Sequence, residues 1–241
     1  MPRIPRKAQQ ATGCYYHVMN RGHNREVVFA CDEDYRCFLD LVDRYRQRFP
    51  WRLYHYCLMS NHFHLLVRCD SPKALSACLA GLLRSYVHYA HRRYGFVGHL
   101  WQGRFKSPVV AAEAYFLSCA RYIERNPLVA GLVQELWLYP WSSAPAYALG
   151  KADTLLSYNV WYRDLGSDDA QRQQRWREFL RGDDPREEEI RRADWTTGDD
   201  AFRRRMQRQA ARPARRVGRP RKGPAGAQGL FPQLYGDEYD T

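Results

Sequence analysis

Along the first half of the chain, short stretches that alternate apolar and polar residues are separated by longer ones with apolar residues three and four apart, the signatures of strand and helix. Tyr15 to Met19 is a β-prone run closed by the turn signal Asn20-Arg21-Gly22. Asp32 is placed to N-cap a helix reaching about Arg48, with Phe38, Leu41, Val42 and Tyr45 on one face. Trp51 to Met59 alternates again, Ser60-Asn61 makes a tight turn, and His62 to Cys69 returns, so a β-hairpin is expected. Ser71-Pro72 opens the next helix, which Leu75, Leu79, Leu82, Leu83, Tyr86 and Tyr89 carry to about Arg93, ahead of Gly95. Leu100 to Val110 reads as a further strand, and Ala112 to Arg125 as a helix that Pro127 stops.

The order β-α-β-β-α-β followed by a helix predicts an α+β fold, a ferredoxin-like antiparallel sheet with helices on one face. Three more helical stretches follow, Ala170 to Leu180, Pro185 to Arg192 and Asp199 to Arg208, the last with Phe202 and Met206 four apart. They suit a small cap or a second binding surface. The expected organisation is a main domain over residues 1–150, a helical C-terminal extension over 151–206 and a flexible basic tail over 207–241.

Composition narrows this picture. With 45% hydrophobic and 14% aromatic residues, most of the 241-residue chain can bury a core, which excludes a disordered basic protein. No apolar run is long enough for a membrane helix, and Met1 opens onto Pro, Arg and Lys with no signal-peptide core, so a cytoplasmic protein is expected. The seven cysteines are odd in number and never form C-x-x-C, which suits buried reduced thiols better than disulfides or a zinc cage.

The net charge of +12 is unevenly placed. Residues 1–150 carry 19 basic and 10 acidic side chains (+9), 151–205 carry 12 and 13 (−1), and 206–241 carry 7 and 3 (+4). Of the 38 basic residues 33 are Arg, whose planar fork grips phosphate at two points and stacks on bases. The excess therefore leans toward nucleic acid.

His62-Phe63-His64 is the sharpest chemical feature. Residues two apart on a strand share a face, so the imidazoles converge while Phe63 enters the core, an arrangement open both to metal binding and to a solvated histidine pair. A second feature is Tyr122 and Asn126, four apart in the last turn of a helix, a nucleophile candidate beside an oxygen ligand. Core packing of the Tyr122 ring and a simple helix stop at Asn126 are the alternatives.

Four ordered motifs carry a family resemblance: Tyr56-Cys57-Leu58-Met59-Ser60-Asn61-His62-Phe63-His64-Leu65-Leu66-Val67, then Trp101-Gln102-Gly103-Arg104-Phe105-Lys106-Ser107, then Tyr122-Ile123-Glu124-Arg125-Asn126-Pro127-Leu128-Val129-Ala130-Gly131-Leu132-Val133, then Trp141-Ser142-Ser143. Over roughly residues 12 to 150 the chain resembles the REP-associated tyrosine transposases, relatives of the single-tyrosine HUH transposases of bacterial insertion sequences. Ser60 stands where these proteins usually have proline, a departure that removes no functional group.

The resemblance implies the ferredoxin-like fold and a cytoplasmic, nucleoid-associated enzyme, a metal-dependent endonuclease and strand transferase. Its substrate would be single-stranded or hairpin DNA at repetitive extragenic palindromes. Tyr122 would be the nucleophile, forming a 5′-phosphotyrosine, and His62, His64 and the Asn126 side-chain oxygen would hold Mg²⁺ or Mn²⁺. Water is a better prospect for the general base than Glu124 or Glu113. Arg21, Arg104, Lys106, Arg121 and Arg125 are candidates for phosphate contacts, and Trp101, Phe105 and Tyr115 for stacking on unpaired bases. The remaining histidines, His17, His23, His55, His88, His91 and His99, read as structural or surface residues. In the tail, Arg216-Val217-Gly218-Arg219-Pro220-Arg221-Lys222 resembles an AT-hook, with Arg219 and Arg221 reaching a duplex minor groove. A non-catalytic hairpin-binding protein of the same fold is the alternative. Either a monomer or a homodimer is compatible with the sequence.

Overall fold

Residues 14–209 are described by the computed structural model, and the chain order read from the sequence is the order observed. β1 (Cys14–Arg21), α1 (Asp32–Arg48), β2 (Trp51–Met59), β3 (His62–Cys69), α2 (Pro72–Tyr94) and β4 (Val109–Val110) follow one another, and α3 (Ala114–Val129) comes next. The sheet has the spatial order β2-β3-β1-β4-β5, where β5 (Thr196–Thr197) is supplied by the C-terminal extension. β3 lies antiparallel between β1 and β2, and His64 stands opposite Met19 on one side and Cys57 on the other.

Side-chain alternation splits the sheet into two buried faces. Tyr16, Val18, Leu58, Phe63, Leu65 and Val67 pack with Phe38, Leu41 and Val42 of α1 and with Leu75, Leu79, Leu82 and Tyr86 of α2. The two crossover helices thus share one face, as the motif order predicts. On the opposite face Tyr54, Cys57, Met59 and Leu66 meet Phe116, Cys119, Ala120 and Ile123 of α3. The unbroken apolar stretches Tyr56-Cys57-Leu58-Met59 and Leu65-Leu66-Val67 have this cause, because strands covered on both faces lose the polar half of the alternation.

Helix α1 starts one residue earlier than the sequence reading places it, with Cys31 at the N-cap. Asp34 closes the turn by accepting from the Ala30 N–H at 2.7 Å. Fully buried, it also accepts from the Tyr89 and Tyr94 hydroxyls at 2.9 and 2.7 Å, which pins α1 to α2. The Ser60-Asn61 turn tolerates serine because its backbone is what matters: the Ser60 carbonyl accepts from Val28 and Phe29, and the Asn61 carbonyl from Gly22. Gly22 itself is required, since a Cβ there would collide with the Glu26 carbonyl.

Two expectations need correction. The strand expected over Leu100 to Val110 is regular only at Val109–Val110; upstream it touches β1 through isolated bridges from Lys106 to Met19 and from Trp101 to Gly22. Pro108 has no N–H to give to a ladder, and residues 102–104 loop outward between the bridges. Helix α3 is not stopped by Pro127 but continues to Val129.

The extension is built into the same unit. After α4 (Ala144–Leu149) at the end of the main domain, it forms α5 (Val160–Arg163), α6 (Asp169–Arg181), α7 (Arg186–Arg192), β5 and α8 (Asp200–Gln209). β5 pairs parallel with β4, so the sheet is mixed and not wholly antiparallel. Trp176, Leu180 and Ile190 join the core under α3, and Met206 joins the core under α1 and α2. All seven cysteines are free, and no helix among the described residues is long and apolar enough to cross a membrane.

Candidate active site

The hairpin and the end of α3 meet over one cleft. β3 begins at the cleft floor, so strand alternation places His62 and His64 on the α3 side of the sheet and Phe63 in the opposite core. Tyr122 and Asn126, one turn apart on α3, face them. The Tyr122 ring stands edge-on to His64 with centroids 5.7 Å apart, and His62 lies edge-on to His64 at 5.1 Å. The cleft, of about 760 Å³, is also lined by Arg21, Arg25, Gln102, Arg104 and Lys106, giving it a positive rim. All four residues assigned to chemistry are therefore brought together within one chain, with Arg21, Arg104 and Lys106 beside them.

Hydrogen bonds decide which atoms face a ligand. His62 Nδ1 donates to Asn61 Oδ1 at 2.6 Å, which leaves its Nε2 as a lone pair. His64 Nδ1 is engaged by His17 Nε2 at 2.8 Å, again leaving Nε2. The Asn126 amide nitrogen donates to the Tyr122 and Ile123 carbonyls at 2.8 and 3.2 Å, so only its oxygen is uncommitted by these bonds. Burial lowers the pKa of His62, opposed in part by the Asn126 oxygen, which would accept from the protonated ring, and burial pushes His64 well below the usual imidazole range. Two neutral imidazoles and an amide oxygen form a donor set that fits a divalent ion with positions left for water and phosphate. Among the described residues no cluster of three His, Cys, Asp or Glu side chains offers an alternative metal site.

Tyr122 is partly buried, and burial raises its hydroxyl above the usual phenol pKa. Glu124 is fully buried on the other side of α3, where its carboxylate accepts from Ser143 at 2.6 Å and from Trp176 at 2.9 Å and pairs with His55 at 2.8 Å. It is a packing hub and has no route to the cleft. Glu113 caps the far end of α3, more than two turns from Tyr122.

Several expected DNA contacts are displaced by the fold. Phe105 is 6% exposed and belongs to the core, so it cannot stack on bases. Trp101 packs edge-on against Phe63 at 5.6 Å and beside Tyr86 at 6.0 Å, and is held there. Arg121 is 1% exposed and paired with Glu187 of α7 at 3.0 Å. Arg125 caps α6, donating to the Leu180 and Gly182 carbonyls at 2.8 and 3.1 Å. Both arginines lie on the side of α3 that the extension covers, which the helical spacing alone does not reveal. Arg219 and Arg221 lie outside the described residues.

One cleft residue was not foreseen in the sequence, and two histidines read as structural or surface prove to be structural. Arg25 reaches the cleft from a turn in which Asn24 and Arg25 adopt positive φ, 48° and 63°. His17 is buried against both His64 and Tyr122, and His55 is buried against Glu124; neither is a surface residue. His17 shares a strand face with Tyr15 and Met19, but only the β1–β3 register brings it beside His64.

Residues 10–126 match the family described as "Transposase IS200 like". No curated protein matches the chain. Among solved structures, the chain is similar to one of a REP-associated tyrosine transposase bound to a REP hairpin, with a TM-score of 0.53 and 16% sequence identity over 66% of this chain and 93% of that one. At that identity the likeness is one of fold, and it agrees with the α+β sheet described above. The residues matched to the IS200-like transposases, 10–126, carry both the histidine pair and the Tyr122–Asn126 turn.

Proposed function

We propose that this transposase-family protein cleaves and rejoins single-stranded DNA beside a palindromic hairpin, with Tyr122 as nucleophile. The observation that carries the reading is the meeting, in a single basic cleft of one chain, of Tyr122 with His62, His64 and Asn126. The solved relative bound to a hairpin supports the choice of substrate.

The Tyr122 oxygen attacks the scissile phosphorus and displaces the 3′ oxygen of the upstream strand. The phenolic proton passes to water, and the phosphate stays on Tyr122 through its 5′ side. Attack by a 3′ hydroxyl on that phosphorus then breaks the tyrosyl–phosphate bond and restores the phenol. Arg21, Arg104 and Lys106 hold neighbouring phosphates. His62, His64 and the Asn126 oxygen are the residues that would hold Mg²⁺ or Mn²⁺, which when bound supplies Lewis-acid stabilisation of charge at the phosphate. Because burial raises the Tyr122 pKa, help at the hydroxyl is needed near neutral pH.

The test is incubation of the full chain with labelled single-stranded hairpin DNA and Mn²⁺. A covalent adduct is expected, absent in Tyr122→Phe and suppressed by chelator. Tight binding with no adduct under any divalent metal would establish the non-catalytic alternative instead.

A further inference from the structure

The shared proton between two buried histidines governs whether His64 can ligate anything. His17 and His64 are 1% and 5% exposed, and their contact, Nε2 to Nδ1 at 2.8 Å, requires one N–H and one lone pair. A neutral imidazole carries a single N–H. If His64 supplies the proton from Nδ1, its Nε2 is a lone pair available to an ion. If His17 supplies it, the proton of His64 sits on Nε2 and the ring cannot coordinate through that atom. The same choice does not arise at His62, whose Nδ1 faces an acceptor-only amide oxygen.

We propose that His17 is a positioning residue of the metal centre: it accepts from His64 Nδ1–H and so holds His64 in the tautomer whose Nε2 can bind a divalent ion. The inference rests on the reading of His62, His64 and Asn126 as the ion's ligands, and it goes further by assigning a role to a residue that is not a ligand. It also accounts for an otherwise unexplained atom. With Nε2 accepting, His17 carries its own proton on Nδ1, and that nitrogen is buried without a hydrogen-bond partner among the described residues. Leaving a buried donor unpaired is costly, and such groups persist where another requirement fixes the arrangement. Here the requirement is an acceptor behind His64, the orientation that metal-ligating histidines ordinarily obtain from a carboxylate or carbonyl. No carboxylate is bonded to His64, and an imidazole takes that place. The His17 ring also stands 5.7 Å from Tyr122, so one side chain backs both the ligand and the nucleophile.

The test uses full-length protein without DNA. His17→Phe keeps a ring in the space and removes the acceptor, whereas His17→Gln offers a carbonyl oxygen that can still accept. Mn²⁺ affinity, followed by electron paramagnetic resonance, should fall roughly 10- to 100-fold in His17→Phe and recover most of that loss in His17→Gln. Thermal unfolding checks that each variant is folded. Two-bond ¹⁵N–¹H spectra of the Mg²⁺-loaded wild type should show His64 protonated on Nδ1. Wild-type Mn²⁺ affinity in a folded His17→Phe, or a Mg²⁺-loaded His64 protonated on Nε2, would overturn the proposal. His64→Ala separates the two levels: if it too binds Mn²⁺ like the wild type, the metal-centre reading has failed, and if it alone loses the ion, only the role of His17 has.

Discussion

The side-chain amide of Asn126 donates to the Ile123 carbonyl at 3.2 Å, the carbonyl whose regular helical partner would be the N–H that Pro127 lacks. Proline inside the last turns of α3 therefore does not end the helix; it leaves a vacancy that Asn126 fills. The amide nitrogen is tied to the helix and the oxygen is left for the cleft. Pro127→Ala should return a backbone donor to Ile123 and loosen the amide. Thermal stability is expected to be unchanged or slightly higher, with Mn²⁺ affinity lowered about fivefold, on the order of 1 kcal/mol. Unaltered Mn²⁺ affinity would show that the proline plays no part in orienting Asn126.

Basic residues divide into those that line the cleft and those that hold the protein together. Arg104→Ala and Lys106→Ala should each weaken single-strand binding and reduce the salt slope by about 0.7, one phosphate contact apiece. Arg121→Ala should leave the slope alone and lower the melting temperature, because it strands Glu187 at the α3–α7 contact. A reduced slope in Arg121→Ala with unchanged melting would return that residue to the DNA surface.

Glu124 gathers three donors from three segments: His55 on β2, Ser143 before α4, and Trp176 on α6. Glu124→Ala leaves His55 and Trp176 buried without that acceptor, and a loss of about 3–5 kcal/mol is expected from breaking such a buried network. Urea unfolding measures it. A change in the pH dependence of cleavage with little loss of stability would instead make Glu124 part of the chemistry.

Stability should also fall on mild acidification. Burial pushes His17 down to about 3 from 6.5, and it lowers His62 and His64 as well. Below about pH 6.5 the unfolded chain takes up protons that the folded chain refuses, so stability drops as pH falls from there toward 3. His17 alone contributes about 1.4 kcal/mol per pH unit through the middle of that range. Urea midpoints at pH 7, 6 and 5 should decline, less steeply in His17→Gln; a flat profile in the wild type would contradict buried neutral imidazoles.

How much of this was legible beforehand depended on whether a residue's partner is local. The hairpin at Ser60-Asn61, the placement of Phe63 away from its histidine neighbours, and the pairing of Tyr122 with Asn126 all follow from periods of two and four residues. His17 and His64 are 47 residues apart and meet through strand register, which no local pattern specifies. Arg121 and Arg125 look like phosphate ligands in a basic motif until α6 and α7 are seen to cover that side of the helix. Phe105 sits between exposed Arg104 and Lys106, and alternation would have assigned it to the core had the surrounding strand been regular.

The contacts that α6 and α7 make with α3 also impose a timetable on synthesis. Glu124 lacks its Trp176 donor, and Arg121 its counter-ion, until more than fifty further residues have been made. While the extension is still being translated, Glu124 has only His55 and Ser143 as partners, and Arg121 faces the side of α3 that α7 has yet to cover. The helix that carries Tyr122 therefore reaches its final packing only once α6 and α7 have been made.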